Sequence, residues 1–374
     1  MRASPLTWTL VAVAACDSPP VELRGATIAA AGDQVVIVTD RRVGVSAEVD
    51  PVDTLMSTTT APGTAVAPLA PVTRDGTLLR GRAPVLGGGP AGAYLTWYDD
   101  GAVAGRGAPL DATGAVAAGR VTPAWLRAQP VPVGPRFVVV GEHFEDHGRT
   151  QIVDGTWIEP DGAAGATFEL ARGVDYVTVD PVAAGGGADV GGVAAVAWVA
   201  TDGGMTQVRL TRLAGDGSVL GDAAVIVAEA ATPAARVAPA AIAVRPDGTT
   251  VVLLRVGAAA PVLALARVPL AGPTIVTDLG LATLPFQPVL AAGAGGDVMV
   301  ARDAVGDALR AYPLGADGRV APPGLVLGDG SADEASVVAL ADRFVVARRV
   351  GAALVVRWFD RDRADPAITL HGEP

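Results

Sequence analysis

The sequence has no lysine and no asparagine: all 28 basic residues are arginine, and there is one cysteine and three histidines in 374 residues. Each shortage excludes chemistry. Without lysine there is no Schiff-base nucleophile and no P-loop lysine to grip a phosphate. A single cysteine leaves no internal disulfide and no multi-cysteine zinc site. Without asparagine there is no N-glycosylation acceptor. Aromatic residues make up 4% of a chain that is 50% hydrophobic, so the core must be aliphatic. The net charge of -11 argues against a nucleic-acid partner, since phosphate binding needs a positive footprint.

What is present begins at the N-terminus. Met1–Cys16 reads MRASPLTWTLVAVAAC, with one cation, Arg2, followed by an apolar run from Leu6 to Ala15. That run is too short to cross roughly 30 Å of hydrocarbon as a helix and has the size of a signal-peptide core. The sole cysteine sits where it ends, and Val13-Ala14-Ala15-Cys16 resembles the bacterial lipobox. That resemblance implies a lipid on Cys16 and a chain cut just before it. Residues 1–15 are then a signal peptide, 16–22 a lipidated tether, and 23–372 a single domain. The implied location is extracytoplasmic, with the lipid holding the body to a bacterial cell membrane or outer membrane.

The rest is one pattern repeated. Seven mostly apolar runs, carrying valine in all but Tyr94–Trp97, occur at Val35–Val38, Tyr94–Trp97, Phe137–Val140, Val193–Ala200, Val251–Leu254, Val298–Ala301 and Phe344–Ala347. Each is of strand length, and a continuous apolar run means both faces are covered. Most are preceded by Pro-Val or Pro-Ala, at Pro84, Pro130, Pro181, Pro239 and Pro288. Proline belongs at a sheet edge or a strand start. A third signal follows several runs: Arg106, Leu110 and Gly114 are spaced four apart, as are Arg209, Leu213 and Gly217, and Arg310, Leu314 and Gly318. Four strands in about 50 residues, repeated seven times, resembles a β-propeller blade. The expected fold is all-β, a seven-bladed β-propeller of four-stranded antiparallel blades. Six or eight blades, or paired β-sandwiches, are the alternatives, because 50–70 and 155–180 are the least regular segments. The resemblance to WD-repeat, kelch and YVTN propellers is architectural only, since their signature motifs are missing.

Ligands of such a fold are expected at the mouth of the axial channel. The loops between the second and third strands are placed at 39–42, 98–101, 142–149, 201–205, 255–260, 301–306 and 348–352. They or their flanks carry Asp40, Asp99, Asp100, Glu142, Glu145, Asp146, Asp202 and Asp303. Together these would form a negative rim suited to a hard cation such as calcium; no other cofactor is expected. Aspartate is also common in turns for conformational reasons alone. His143 and His147, four apart among acids, are a weaker candidate metal pair, and the order HExxH is absent. No catalytic residue is assigned. The reading favoured by the sequence is a membrane-tethered, monomeric, non-enzymatic binding or scaffold module for an envelope protein or polysaccharide. The alternative is an extracytoplasmic hydrolase or lyase with a carboxylate or metal site at the channel mouth.

Overall fold

The computed structural model describes residues 21–371, leaving out 44–51, 75, 91, 112–113, 117–121, 125–127, 175–178, 180, 203–204, 223, 231–235, 258–260, 283–286, 303–307, 321–322 and 330–334. Within these residues the chain forms seven four-stranded antiparallel sheets, each built from four consecutive strands. A two-stranded ladder, Thr73–Arg74 with Thr77–Leu78, follows the first sheet. We number the sheets as blades 1–7 in chain order. Their first strands are Val21–Ala31, Arg82–Gly89, Gln129–Val133, Val182–Gly186, Val237–Val244, Val289–Gly293 and Ala335–Leu340. These pack against one another in a ring and line the axis.

Every such apolar run lies in the second strand of its blade. Val35–Val38 falls in Gln34–Val43, and Phe344–Ala347 in Arg343–Val350. These strands are buried on both sides because alternate residues feed different interblade cores. Val36 and Val38 pack toward blade 2, whereas Val35 and Ile37 pack toward blade 7. A blade cannot dry both faces alone, which is why the pattern repeats until the ring closes.

The Arg–Leu–Gly signal marks the turn after the third strand. Leu110, Leu213 and Leu314 each form a bridge to the valine six residues on, at Val116, Val219 and Val320. Gly114, Gly217 and Gly318 hold φ of +80°, +92° and +81°, and each N–H donates to the carbonyl three residues back. Only glycine takes that backbone conformation without strain. The two irregular segments have separate explanations. Blade 1 ends in a two-residue outer strand, Ala70–Pro71. Segment 155–180 holds the ordinary outer strands of blade 3, Thr150–Ile158 and Ala164–Gly173.

Among the described residues no sheet combines strands from both ends of the chain, and side-chain packing joins blade 1 to blade 7. Leu23, Ile28, Val35 and Ile37 of blade 1 interlock with Val345, Leu354, Val356 and Trp358 of blade 7. The hydrogen bonds across this seam include Ser336 Oγ to Ala26 O at 2.8 Å and Trp358 Nε1 to Thr60 Oγ1 at 3.2 Å. Each such bond contributes about 1 kcal/mol net, against about 1.5–3 kcal/mol for each large apolar side chain buried. Burial therefore dominates closure.

Candidate functional site

The first strands all run from one end of the channel to the other, so the two mouths are built differently. At one mouth sit the connections between first and second strands; five are two-residue turns, at 32–33, 90–91, 134–135, 294–295 and 341–342. At the other lie the connections between second and third strands, together with the starts of the first strands.

The second mouth holds a polar cavity of about 470 Å³. Gln129, Glu142, Arg255 and Gln287 supply its polar lining, beside Pro181, Val182 and Pro239. Glu142 comes from the second strand of blade 3, Arg136–Glu145, and Arg255 from that of blade 5, Thr250–Val256. Gln151 Nε2 donates to Glu142 Oε2 at 2.6 Å, and Gln151 Oε1 accepts from Val179 N at 2.8 Å. That relay fixes the carboxylate and leaves Oε1 without a hydrogen bond among the described residues. Gln129 Oε1 accepts from Ala183 N, and Gln287 Nε2 donates to Ala240 O, both at 3.1 Å, tying adjacent blades together. Arg255 is exposed and makes no ion pair among the described residues. A carboxylate with one free oxygen and an uncommitted guanidinium thus share one recess.

Of the acids expected on a single rim, only Glu142 lines this cavity among the described residues. Asp40 is not in a loop, because the second strand of blade 1 continues to Val43, with Arg41 and Arg42 opposite Thr54 and Asp53. Its carboxylate is buried between blades 1 and 2, 5% exposed, accepting from Ala83 N at 3.4 Å. Burial raises its pKa to about 6, with neighbouring Asp53 adding to the rise and Arg24 opposing it. Asp53, also buried, is raised by the same desolvation and held back by Arg42. Asp99 Oδ1 accepts from Gly101 N and Ala102 N, an ordinary turn cap. Asp100 pairs with Arg82 at 3.2 Å. Glu145 pairs with Arg172 at 3.3 Å, and Asp146 accepts from Thr150 Oγ1 at 3.3 Å. The side chain of Asp202 and the whole of Asp303 lie outside the described residues, as does Cys16.

The histidines diverge. His143 Nδ1 lies 3.2 Å from Asp154 Oδ2, and its Nε2 lies 3.8 Å from Glu145 Oε1. Burial raises the pKa of Asp154, and His143 opposes that shift. His147 is exposed in a one-turn 3-10 helix, Asp146–Gly148, with φ of +56°. Among the described residues, no group of three or more His, Cys, Asp or Glu side chains is placed to hold a metal ion. The residues missed by sequence reading are Gln129, Gln287 and Arg255. A signal for two of them existed: Gln-Pro-Val occurs at both 129–131 and 287–289, at the start of a first strand.

No protein-family model and no curated protein matches the chain. Similar solved structures do exist. A puromycin hydrolase shares 18% identity at a TM-score of 0.53, covering 92% of this chain and 53% of that one. A prolyl endopeptidase shares 12% at 0.52, covering 93% of this chain and 49% of that one. The β-propeller domain of the Trilobed protease from Pyrococcus furiosus, described as having an open velcro topology, shares 10% at 0.50, covering 93% and 95%. The chain therefore spans about half the length of the first two. At these identities the likeness shows the fold. It also corrects one expectation: the propellers similar to this one recur within hydrolases, so the non-enzymatic scaffold reading is set aside for the hydrolase alternative.

Proposed function

We propose that this propeller serves as an extracytoplasmic hydrolase, acting on an ester or amide bond held at the polar mouth. The observation that carries the reading is that Glu142 and Arg255 line one recess, beside Gln129 and Gln287, whereas the cavity at the other mouth is lined by glycine, proline and aliphatic residues. In the proposed step Glu142 Oε1 takes a proton from water as the water oxygen attacks the carbonyl carbon. The Arg255 guanidinium stabilises the negative charge developing on the carbonyl oxygen. Collapse breaks the bond to the leaving group, which takes up the proton held by Glu142. Gln151 keeps the carboxylate aimed throughout. The recurrence of this fold in hydrolases supports the reading.

The lipobox-like segment supports a membrane location. The first strand starts at Val21, paired with Val43 beside the second-to-third connection of blade 1, which is the polar-mouth end. A tether from Cys16 would enter there. Cys16→Ser should release the protein from membranes, and unchanged fractionation would refute the anchor.

The hydrolase reading is tested with chromogenic esters and aminoacyl amides. The wild-type chain should turn over at least one of them, and Glu142→Gln should lower kcat about a hundredfold or more, as for loss of a general base. Equal turnover by the two proteins, or none above the uncatalysed rate, would defeat it.

A further inference from the structure

The opposite mouth contains a larger cavity, about 890 Å³, and no part of the hydrolytic reading uses it. Its wall draws on all seven first strands or the turns that end them, with Ala30, Gly88, Pro132, Ala184, Ala292 and Val338 among the lining residues. Among the described residues, no ionisable side chain lines it.

Asp33, Asp189 and Asp342 stand in the connections at this end but outside the cavity lining, and other charges nearby are engaged elsewhere. Arg245 clamps Asp297 through two hydrogen bonds, Nε to Oδ1 at 2.8 Å and Nη2 to Oδ2 at 2.5 Å. Arg267 reaches Asp297 at 3.3 Å and donates to the carbonyls of Gly315 and Ala316. Arg136 pairs with Glu159 and lies over the Trp157 ring, its guanidinium carbon 4.6 Å from the centroid. Arg361 donates to Gly295 O at 2.8 Å.

The wall is also rigid. Neighbouring turns are bonded to each other, Gly32 N to Gly89 O at 3.1 Å, Gly187 N to Arg245 O at 3.1 Å and Asp189 N to Pro246 O at 3.0 Å. A Cβ added at Gly88 would lie 2.1 Å from Ala30 O, and one at Gly185 would lie 2.1 Å from Pro132 O. The strands already touch at backbone level, so the cavity cannot close by collapse.

We propose that this mouth is a binding site for one small, neutral, predominantly apolar organic molecule. The volume falls within the range of ligand pockets. A preformed aliphatic cavity gains free energy when apolar surface leaves water. An ionised ligand would lose its hydration with no counter-charge to replace it, which sets the selectivity for neutral molecules. The site lies at the far end of the channel from Glu142 and stands whether or not hydrolysis occurs there.

The test is fluorescence titration of the full chain with Nile red, which is neutral, and with anilinonaphthalene sulfonate, which is anionic. Nile red should saturate at one per chain, with a blue-shifted emission insensitive to salt, and should bind at least about tenfold more tightly than the sulfonate. Ala339→Trp, which fills the cavity, and Ala292→Asp, which places a charge in it, should each weaken Nile red by about tenfold or more. Circular dichroism checks that each variant is folded. Equal binding of the two dyes, more than one Nile red per chain, or unchanged affinity in a folded variant would overturn the proposal. If neither variant folds, the stoichiometry and charge selectivity of the wild type decide it.

Discussion

The two mouths of the channel are made from the same seven strands, yet charged side chains line the cavity at one and not the cavity at the other. The difference lies in where the chain turns. At the apolar mouth, two-residue turns join the first and second strands in five blades, leaving little room for a side chain to reach the axis. At the polar mouth the second strand of blade 3 runs past the start of the first, to Glu145, and that of blade 5 ends level with it, so that Glu142 and Arg255 reach the recess. Sequence and fold repeat around the ring, but chemistry divides along its axis.

The buried carboxylates sharpen the same contrast. Near the apolar end, Asp297 is 1% exposed and is satisfied by two arginines. Near the polar end, Asp40 is 5% exposed, and its Oδ1 has no hydrogen bond among the described residues. One is a structural clamp, while the other is under-partnered, and burial pushes its pKa up to about 6.

The largest expected effect tests the crowding beside the apolar mouth. Gly185→Leu would drive a side chain into Pro132 O, and it should destabilise by more than about 4 kcal/mol, seen as loss of soluble protein. A fully stable variant would show that the strands can part. Next, Asp297→Asn leaves Arg245 and Arg267 without their anion and should cost about 3 kcal/mol in urea unfolding.

The third prediction concerns pH. The folded pKa of Asp40, about 6, lies above its unfolded value, so between the two the folded chain holds a proton that the unfolded chain has released. Stability from this group is therefore full at low pH and falls as pH rises through that window. Asp40→Asn should stabilise by about 2 kcal/mol near pH 8 and have little effect below pH 4, measured as denaturation midpoints at both. A stabilisation independent of pH would mean that the charge is not the cause. The smallest structural effect is expected at the polar mouth, where Glu142→Gln should shift stability by no more than about 0.5 kcal/mol while removing turnover. A large loss of stability would recast Glu142 as a structural residue.

The seven apolar runs were legible as buried second strands because a strand covered on both sides can carry unbroken apolar sequence. The prolines before them were legible as inner-edge positions, and Gly114, Gly217 and Gly318 as turns, for reasons confined to the local backbone. The candidate site was far less legible. Asp99 in its turn cap and Glu142 in its recess look alike in sequence, each an acid near the end of a strand. Asp40 looked like a third of the same kind, until three more paired residues carried the strand past it and a neighbouring blade covered it.

The sequence alone determined the repeat, the strand type, the turn positions and the chemistry that was excluded, because each follows from local periodicity or from residues that are missing. Tertiary structure alone decided which of many similar acids shares a recess with an arginine, which is stranded in a seam, and that the cavity at one end of the channel has no charged lining residue among the described residues. Those outcomes depend on how far each strand runs before it turns and on what the next blade lays against it, distances that no single repeat encodes.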